Sequence, residues 1–208
     1  NIPELVPYLA FVLFRIPLPL TIMQILAVDL GTDILPALAL GAEKPDPAVM
    51  KRPPRPRKER LLNWPLVVRA YLFLGALEAT AALAAFFFVL DLGGWRYGEV
   101  LGRTDPLYLE ATTACLMAIV VSQVVNVFLC RHPSRSAFAF GLASNPLILW
   151  GVAAELLLLL AIGYTPAGSA LFGTAPLAAS AWLFVMPFAL GMLALEEIRK
   201  AIVRRWSR

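Results

Sequence analysis

The sequence predicts an all-α, polytopic transmembrane helix bundle, and three observations predict it. Apolar residues make up 60% of the 208 and charged residues 15%, against roughly 25% charged in an average soluble domain. Five stretches are long and apolar enough to cross a hydrocarbon core about 30 Å thick, at a helical rise of about 1.5 Å per residue. The basic residues crowd into alternate connections between those stretches, the pattern of multi-pass proteins. A soluble fold could not hide so much apolar surface behind so few charges. The two cysteines, Cys115 and Cys130, both lie in apolar runs and exclude a disulfide scaffold. The net charge of +4 could suggest nucleic acid, but in a membrane chain basic residues mark loops, and no nucleic-acid partner is expected.

In chain order, residues 2–14 are apolar but too short to span. They read as the latter part of a helix whose beginning is missing, since the chain starts at Asn1 inside an apolar stretch. A signal peptide fits poorly, because no basic segment precedes the run and Pro3, Glu4 and Pro7 interrupt it. The full spans are expected at about 20–41, 66–90, 107–129, 146–163 and 176–195. Between the first two lies a basic loop, 43–60, whose Pro45, Pro47, Pro53, Pro54 and Pro56 make it an extended connector. Fifteen of the eighteen Lys and Arg fall on this loop and just beyond it, on the loop with Arg131 and Arg135, and on the C-terminal tail. The positive-inside rule makes those segments and the C-terminus cytoplasmic. The tail reads as an anchor: Glu196 and Lys200 stand at i,i+4, and Trp206 lies where an interfacial aromatic belongs.

Five acids interrupt the apolar runs: Glu4, Asp29, Asp33, Glu78 and Glu155. No Lys or Arg within those runs is placed to pair with them, since Arg15 and Arg69 stand at the ends. Uncompensated carboxylates at membrane depth must protonate or bind a cation, which argues for a cation or proton site over an anion site. The strongest cluster is Val28-Asp29-Leu30-Gly31-Thr32-Asp33-Ile34-Leu35-Pro36. On a helix Asp29 and Asp33 share a face. Pro36 cannot donate to the Thr32 carbonyl, and Gly31 adds backbone latitude, so the helix is expected to break beside its acids and free carbonyl oxygens. Such breaks are tolerated where they line a buried site or wet cavity, and they hold ion sites in transporters. Asn1-Ile2-Pro3-Glu4 followed by Pro7 repeats the device. Hard oxygen ligands of this kind suit Na⁺, K⁺, Ca²⁺ or protons. Glu155 reads equally as a ligand or as a neutral packing contact. Gln123 and Asn126, at i,i+3, can supply amide oxygens or hydrogen-bond between helices. Glu78, among Gly75, Ala76 and Ala79, reads rather as part of a close helix contact. The single histidine, His132, lies in a loop, and the cysteines form no CxxC, so soft-metal and His-based chemistry are disfavoured.

Taken together, Asn1-Ile2-Pro3-Glu4, Ile16-Pro17-Leu18-Pro19-Leu20, Asp29-Leu30-Gly31-Thr32-Asp33, Met50-Lys51-Arg52-Pro53-Pro54-Arg55 and Glu196-Glu197-Ile198-Arg199-Lys200 occur in that order. In this the chain resembles the C-terminal membrane domain of type II P-type cation-transporting ATPases, the family of sodium/potassium, proton/potassium and calcium pumps. The resemblance implies that 2–14 is part of the fifth membrane helix and that the full spans are helices six to ten. It implies a ligand set of Asn1, Glu4, Asp29, Thr32, Asp33, Gln123, Asn126 and Glu155. Asp29 and Gln123, where calcium pumps have Asn and Glu, lean towards the sodium/potassium-like pattern.

The family's DKTGT phosphorylation motif, its TGES motif and the Pro-Glu-Gly-Leu break of its fourth helix do not occur in this sequence. The chain is therefore expected to be a fragment that hydrolyses no ATP. Its partners are expected to be the lipid bilayer, the transported cation and the missing N-terminal part of the pump, with ATP and Mg²⁺ belonging only to that full-length parent. The location implied is the cell membrane. Two rival readings use the same acids otherwise: an ATP-independent secondary cation or proton transporter, and a non-transporting pump-derived membrane protein.

Overall fold

The computed structural model describes residues 2–45, 50, 54 and 62–206. Asn1 and most of the basic loop 43–60 lie outside the described residues. Among those described there is no strand. The helices are α1 (Ile2–Phe14), α2 (Ile22–Gly41), α3 (Trp64–Leu92), α4 (Pro106–Cys130), α5 (Pro146–Tyr164), the short α6 (Pro166–Phe172) and α7 (Ala179–Trp206). Five of them, α2, α3, α4, α5 and α7, are long and apolar enough to cross a membrane, and α1 is a shorter apolar helix.

Local chemistry starts five of the helices. Thr21 opens α2 with a capping box: its hydroxyl accepts from the Gln24 amide, and the Gln24 side chain accepts from the Thr21 N–H. Asn63, Asp105, Asn145 and Thr165 cap α3, α4, α5 and α6, each followed by proline in the first turn, where the missing N–H costs nothing. Arg15, with φ of 51°, and the run Ile16-Pro17-Leu18-Pro19 turn the chain from α1 into α2.

Helix α4 occupies the centre. Residues 111–122 along it are all buried, as expected of a helix that is apolar all round. It packs most extensively on α3 and also touches α2, α5 and α7, while α1 lies against α3. Small side chains permit the close approach, with Ala82 and Ala85 of α3 meeting Ala111, Ala114 and Ala118 of α4 in one core. Large apolar side chains point the other way: Leu30, Leu38, Leu157 and Leu183 are exposed. That inversion suits a protein whose solvent at the perimeter is hydrocarbon.

The break predicted in α2 takes a specific form. The helix does not unwind; it widens into a π-helical turn over Ala27–Thr32 and resumes as α-helix at Ile34. The Asp33 N–H donates to the Val28 carbonyl at 3.0 Å, five residues back, and the Thr32 hydroxyl donates to the same carbonyl at 3.0 Å. Pro36 supplies no N–H to the Thr32 carbonyl. Helix α3 carries a second π-helical stretch, Val68–Leu74. Helix α5 lies close to α2 at two glycines. A Cβ on Gly31 would meet the Leu158 side chain, and one on Gly151 would lie 3.2 Å from the backbone nitrogen of Pro36.

Candidate functional site

The acids of the apolar runs converge on the interior beside the π-helical turn of α2. Glu4 from the first turn of α1 is buried, as are Glu78 of α3 and Glu155 of α5, while Asp29 and Asp33 of α2 are half-buried. Pro7 lies within α1, one turn beyond Pro3 and Glu4, and leaves the Pro3 carbonyl without its helical donor. Each acid lies within electrostatic reach of others: Glu4 of Asp29 and Asp33, Glu78 of Asp33 and Glu4, and Glu155 of Asp33 and Glu78. Four helices thus bring carboxyl groups within electrostatic reach of one another.

What surrounds these groups is apolar or neutral. Among the described residues none of the five acids is in an ion pair with Lys or Arg. One oxygen of Glu4, one of Glu78 and both of Glu155 are buried without a hydrogen-bond partner. Buried polar atoms are nearly always paired in folded proteins, so orphaned carboxylate oxygens single out this region. Neutral oxygens complete the surroundings. The Thr32 hydroxyl, on the widened turn, lies 3.3 Å from the amide oxygen of Gln123 on α4. Asn126, one turn further along α4, accepts from the Cys130 thiol at 3.3 Å and turns the other side of its amide to Glu78. A cavity of about 180 Å³ between α2 and α4 is lined by Asp33, Pro36, Gln123, Asn126 and Cys130. Among the described residues no three His, Cys, Asp or Glu side chains close tightly enough to enclose a metal ion. The acids form an open basin, not a finished cage.

Of the sequence-predicted residues, Glu4, Asp29, Thr32, Asp33, Gln123, Asn126 and Glu155 are brought together here, and Asn1 lies outside the described residues. Glu78 was read as helix packing, and its neighbours do pack tightly: a Cβ on Gly75 would lie 2.7 Å from the Ile2 Cβ. The acid itself, however, faces the basin. Its position among small residues concealed that, since α3 has no polar face to betray which way a side chain points.

A second charged region lies at the end of the bundle shared by the C-termini of α2, α4 and α7. Glu196, fully buried, pairs with Arg69 at 2.7 Å and with Arg199 at 2.6 Å. The i,i+4 pair Glu196/Lys200 expected from the sequence is not formed: Lys200, also fully buried, donates to the Leu129 carbonyl at 2.8 Å and lies 3.8 Å from Glu197. The long-range Arg69 partner outcompetes the local lysine. Nearby, Arg131 binds Glu43 at 2.7 Å, and Asn145 donates to the same carboxyl at 3.0 Å. Hydrogen bonds from Arg131 hold the Glu43 carboxyl below its usual value.

Comparison with known proteins places the chain in a family. The model of the family described as "Cation transporting ATPase, C-terminus" matches residues 17–202. The chain is 31% identical to the sodium/potassium-transporting ATPase subunit alpha-4 of Rattus norvegicus, over 99% of this chain and 22% of that protein. It is 32% identical to the sodium/potassium-transporting ATPase subunit alpha-2 of Gallus gallus, over 99% and 23%. It is 31% identical to the potassium-transporting ATPase alpha chain 2 of Homo sapiens, over 98% and 22%. The chain thus spans less than a quarter of the length of these relatives. It belongs to the cation-transporting ATPase C-terminal family, the membrane domain of the type II P-type pumps.

Proposed function

We propose that this multi-pass chain is the cation-binding and cation-translocating part of an ATP-driven pump. The carrying observation is the basin: acids from α1, α2, α3 and α5 share one interior without basic partners, and buried oxygens of Glu4, Glu78 and Glu155 stay unpaired. The ligand set proposed is Asn1, Glu4, Asp29, Thr32, Asp33, Gln123, Asn126 and Glu155. A Na⁺ or K⁺ ion is the favoured cargo, because the relatives named above are sodium/potassium- and potassium-transporting ATPases. The whole of residues 1–208 forms one membrane domain, with α1 as part of the fifth pump helix and the full spans as the sixth to tenth. It lies in the cell membrane with its basic loops and C-terminus cytoplasmic.

In this reading phosphorylation, with its ATP and Mg²⁺, occurs in domains outside this chain. Those domains tilt α1 and α2, and the π-helical turn of α2 is the compliant element. Widened turns recur at functional sites because a small rotation there re-aims several side chains at once. Moving Asp29, Thr32 and Asp33 relative to Gln123 and Glu155 changes both the affinity for the ion and the side from which it is reached.

Thermal unfolding of the purified chain in detergent, in NaCl, KCl or CaCl₂ against choline chloride, tests the reading. A ligand at 100 times its Kd stabilises the folded state by about 2.7 kcal/mol. The expected result is a saturable rise in Tm with one of these cations, abolished by Asp33→Asn. Identical melting in all four salts would overturn the assignment.

A further inference from the structure

Glu78 is the one acid in the basin that the ligand set above does not use. It stands on α3, one turn after the π-helical stretch Val68–Leu74. Its surroundings come from four other places. Glu4 on α1, Asp33 on α2 and Glu155 on α5 bring three carboxyl groups within electrostatic reach, and α4 brings the Asn126 amide and the Cys130 thiol. Glu78 is 5% exposed, and its Oε1 is buried with no hydrogen-bond partner. Glu155 opposite is 1% exposed with both oxygens unpaired. A carboxyl group in so dry a place, without an ion pair among the described residues, has a buried oxygen that is open to a ligand.

The packing of α3 does not require an acid at this position. The close approach to α1 is made by Gly75 against Ile2, and Ala82 and Ala85 are the small residues of α3 in the core. A side chain kept only for shape would be apolar, since an orphaned buried oxygen costs about 1–3 kcal/mol. Asn126 supplies orientation: its amide meets the Glu78 carboxyl and leaves Oε1 pointing into unpartnered space.

We propose that Glu78 is a further cation ligand, supplied by α3; this rests on the cation-site reading above. Its buried, unpartnered Oε1 is the atom that would take the cation. The specificity of the site then depends on an acid from α3 as well as on those of α1, α2 and α5.

The test measures cation affinity on the purified chain in detergent, as the saturable rise in Tm. NaCl, KCl and CaCl₂ are titrated into wild type, Glu78→Gln, Glu78→Asp and Asp33→Asn. Gln has the shape of Glu and keeps the Asn126 contact, so a purely structural role predicts no change. The proposal expects Glu78→Gln to weaken the apparent affinity about tenfold and Glu78→Asp to weaken it less. If Glu78→Gln matches wild type in affinity while Asp33→Asn loses binding, Glu78 is not a ligand and the cation site stands. If wild type itself answers to no cation, the reading beneath the proposal falls and takes the proposal with it. Should Glu78→Gln fail to fold, Glu78→Asp decides alone, and unchanged affinity in it overturns the proposal.

Discussion

The bundle buries charge in two places, and it treats the two in opposite ways. At the end where α4 and α7 finish, Glu196 and Lys200 are fully buried, yet each has a partner: Arg69 and Arg199 for the acid, the Leu129 carbonyl for the base. In the basin Glu4, Glu78 and Glu155 are buried almost as deeply with oxygens left unpaired. Depth therefore does not distinguish a structural charge from an available one; the accounting of partners does. Paired charges tie α3, α4 and α7 together. Unpaired ones leave a need that only something from outside the chain can meet.

Deleting an acid separates the two regions sharply. Glu196→Ala leaves Arg69 and Arg199 without their shared carboxylate in a buried setting, so a loss of about 3–5 kcal/mol is expected. Thermal or denaturant unfolding in detergent reads it directly. Asp33→Asn removes a charge that has no partner, and in cation-free choline chloride it is expected to stay within about 1 kcal/mol of wild type or above it. Equal losses in the two variants would erase the distinction. The smallest effect belongs to the Glu43–Arg131 pair, where the carboxyl value is held down by hydrogen bonds from Arg131. A depressed value means that the pair contributes stability above the ordinary carboxylate range and loses it as pH falls through the lowered value. Glu43→Gln is expected to flatten that acid limb by about 1 kcal/mol or less, read as the slope of Tm between neutral pH and pH 3.

The sequence carried the span pattern because the bilayer imposes length and apolarity on each helix. It marked Asp29, Asp33 and Glu4 as candidates as well, since a carboxylate beside proline stands out in an apolar run. Three features were not legible in advance. Pro36 announces a lost hydrogen bond, but whether a helix unwinds or widens there depends on the Thr32 hydroxyl and on the approach of α5 at Gly31, both tertiary facts. The direction of Glu78 was hidden by a helix with no polar face to give it a rotational phase. The partner of Glu196 was misread because a neighbour four residues away is visible in a sequence and one 127 residues away is not. The Thr21–Gln24 capping box, by contrast, was present to be read. Beyond its cap, Gln24 also donates to the Gly173 carbonyl and the Thr112 hydroxyl, joining α2 to the turn after α6 and to α4.

The contact at Gly151 has a mechanical consequence. Its missing side chain lets the spine of α5 ride directly on α2 at Leu35 and Pro36, with distances of 3.2–3.4 Å from where a Cβ would stand. That junction lies just beyond the compliant turn on one helix and one turn ahead of Glu155 on the other. It works as a fulcrum without slack. A shift of α2 at Leu35 and Pro36 would therefore press directly on the α5 backbone, one turn from Glu155.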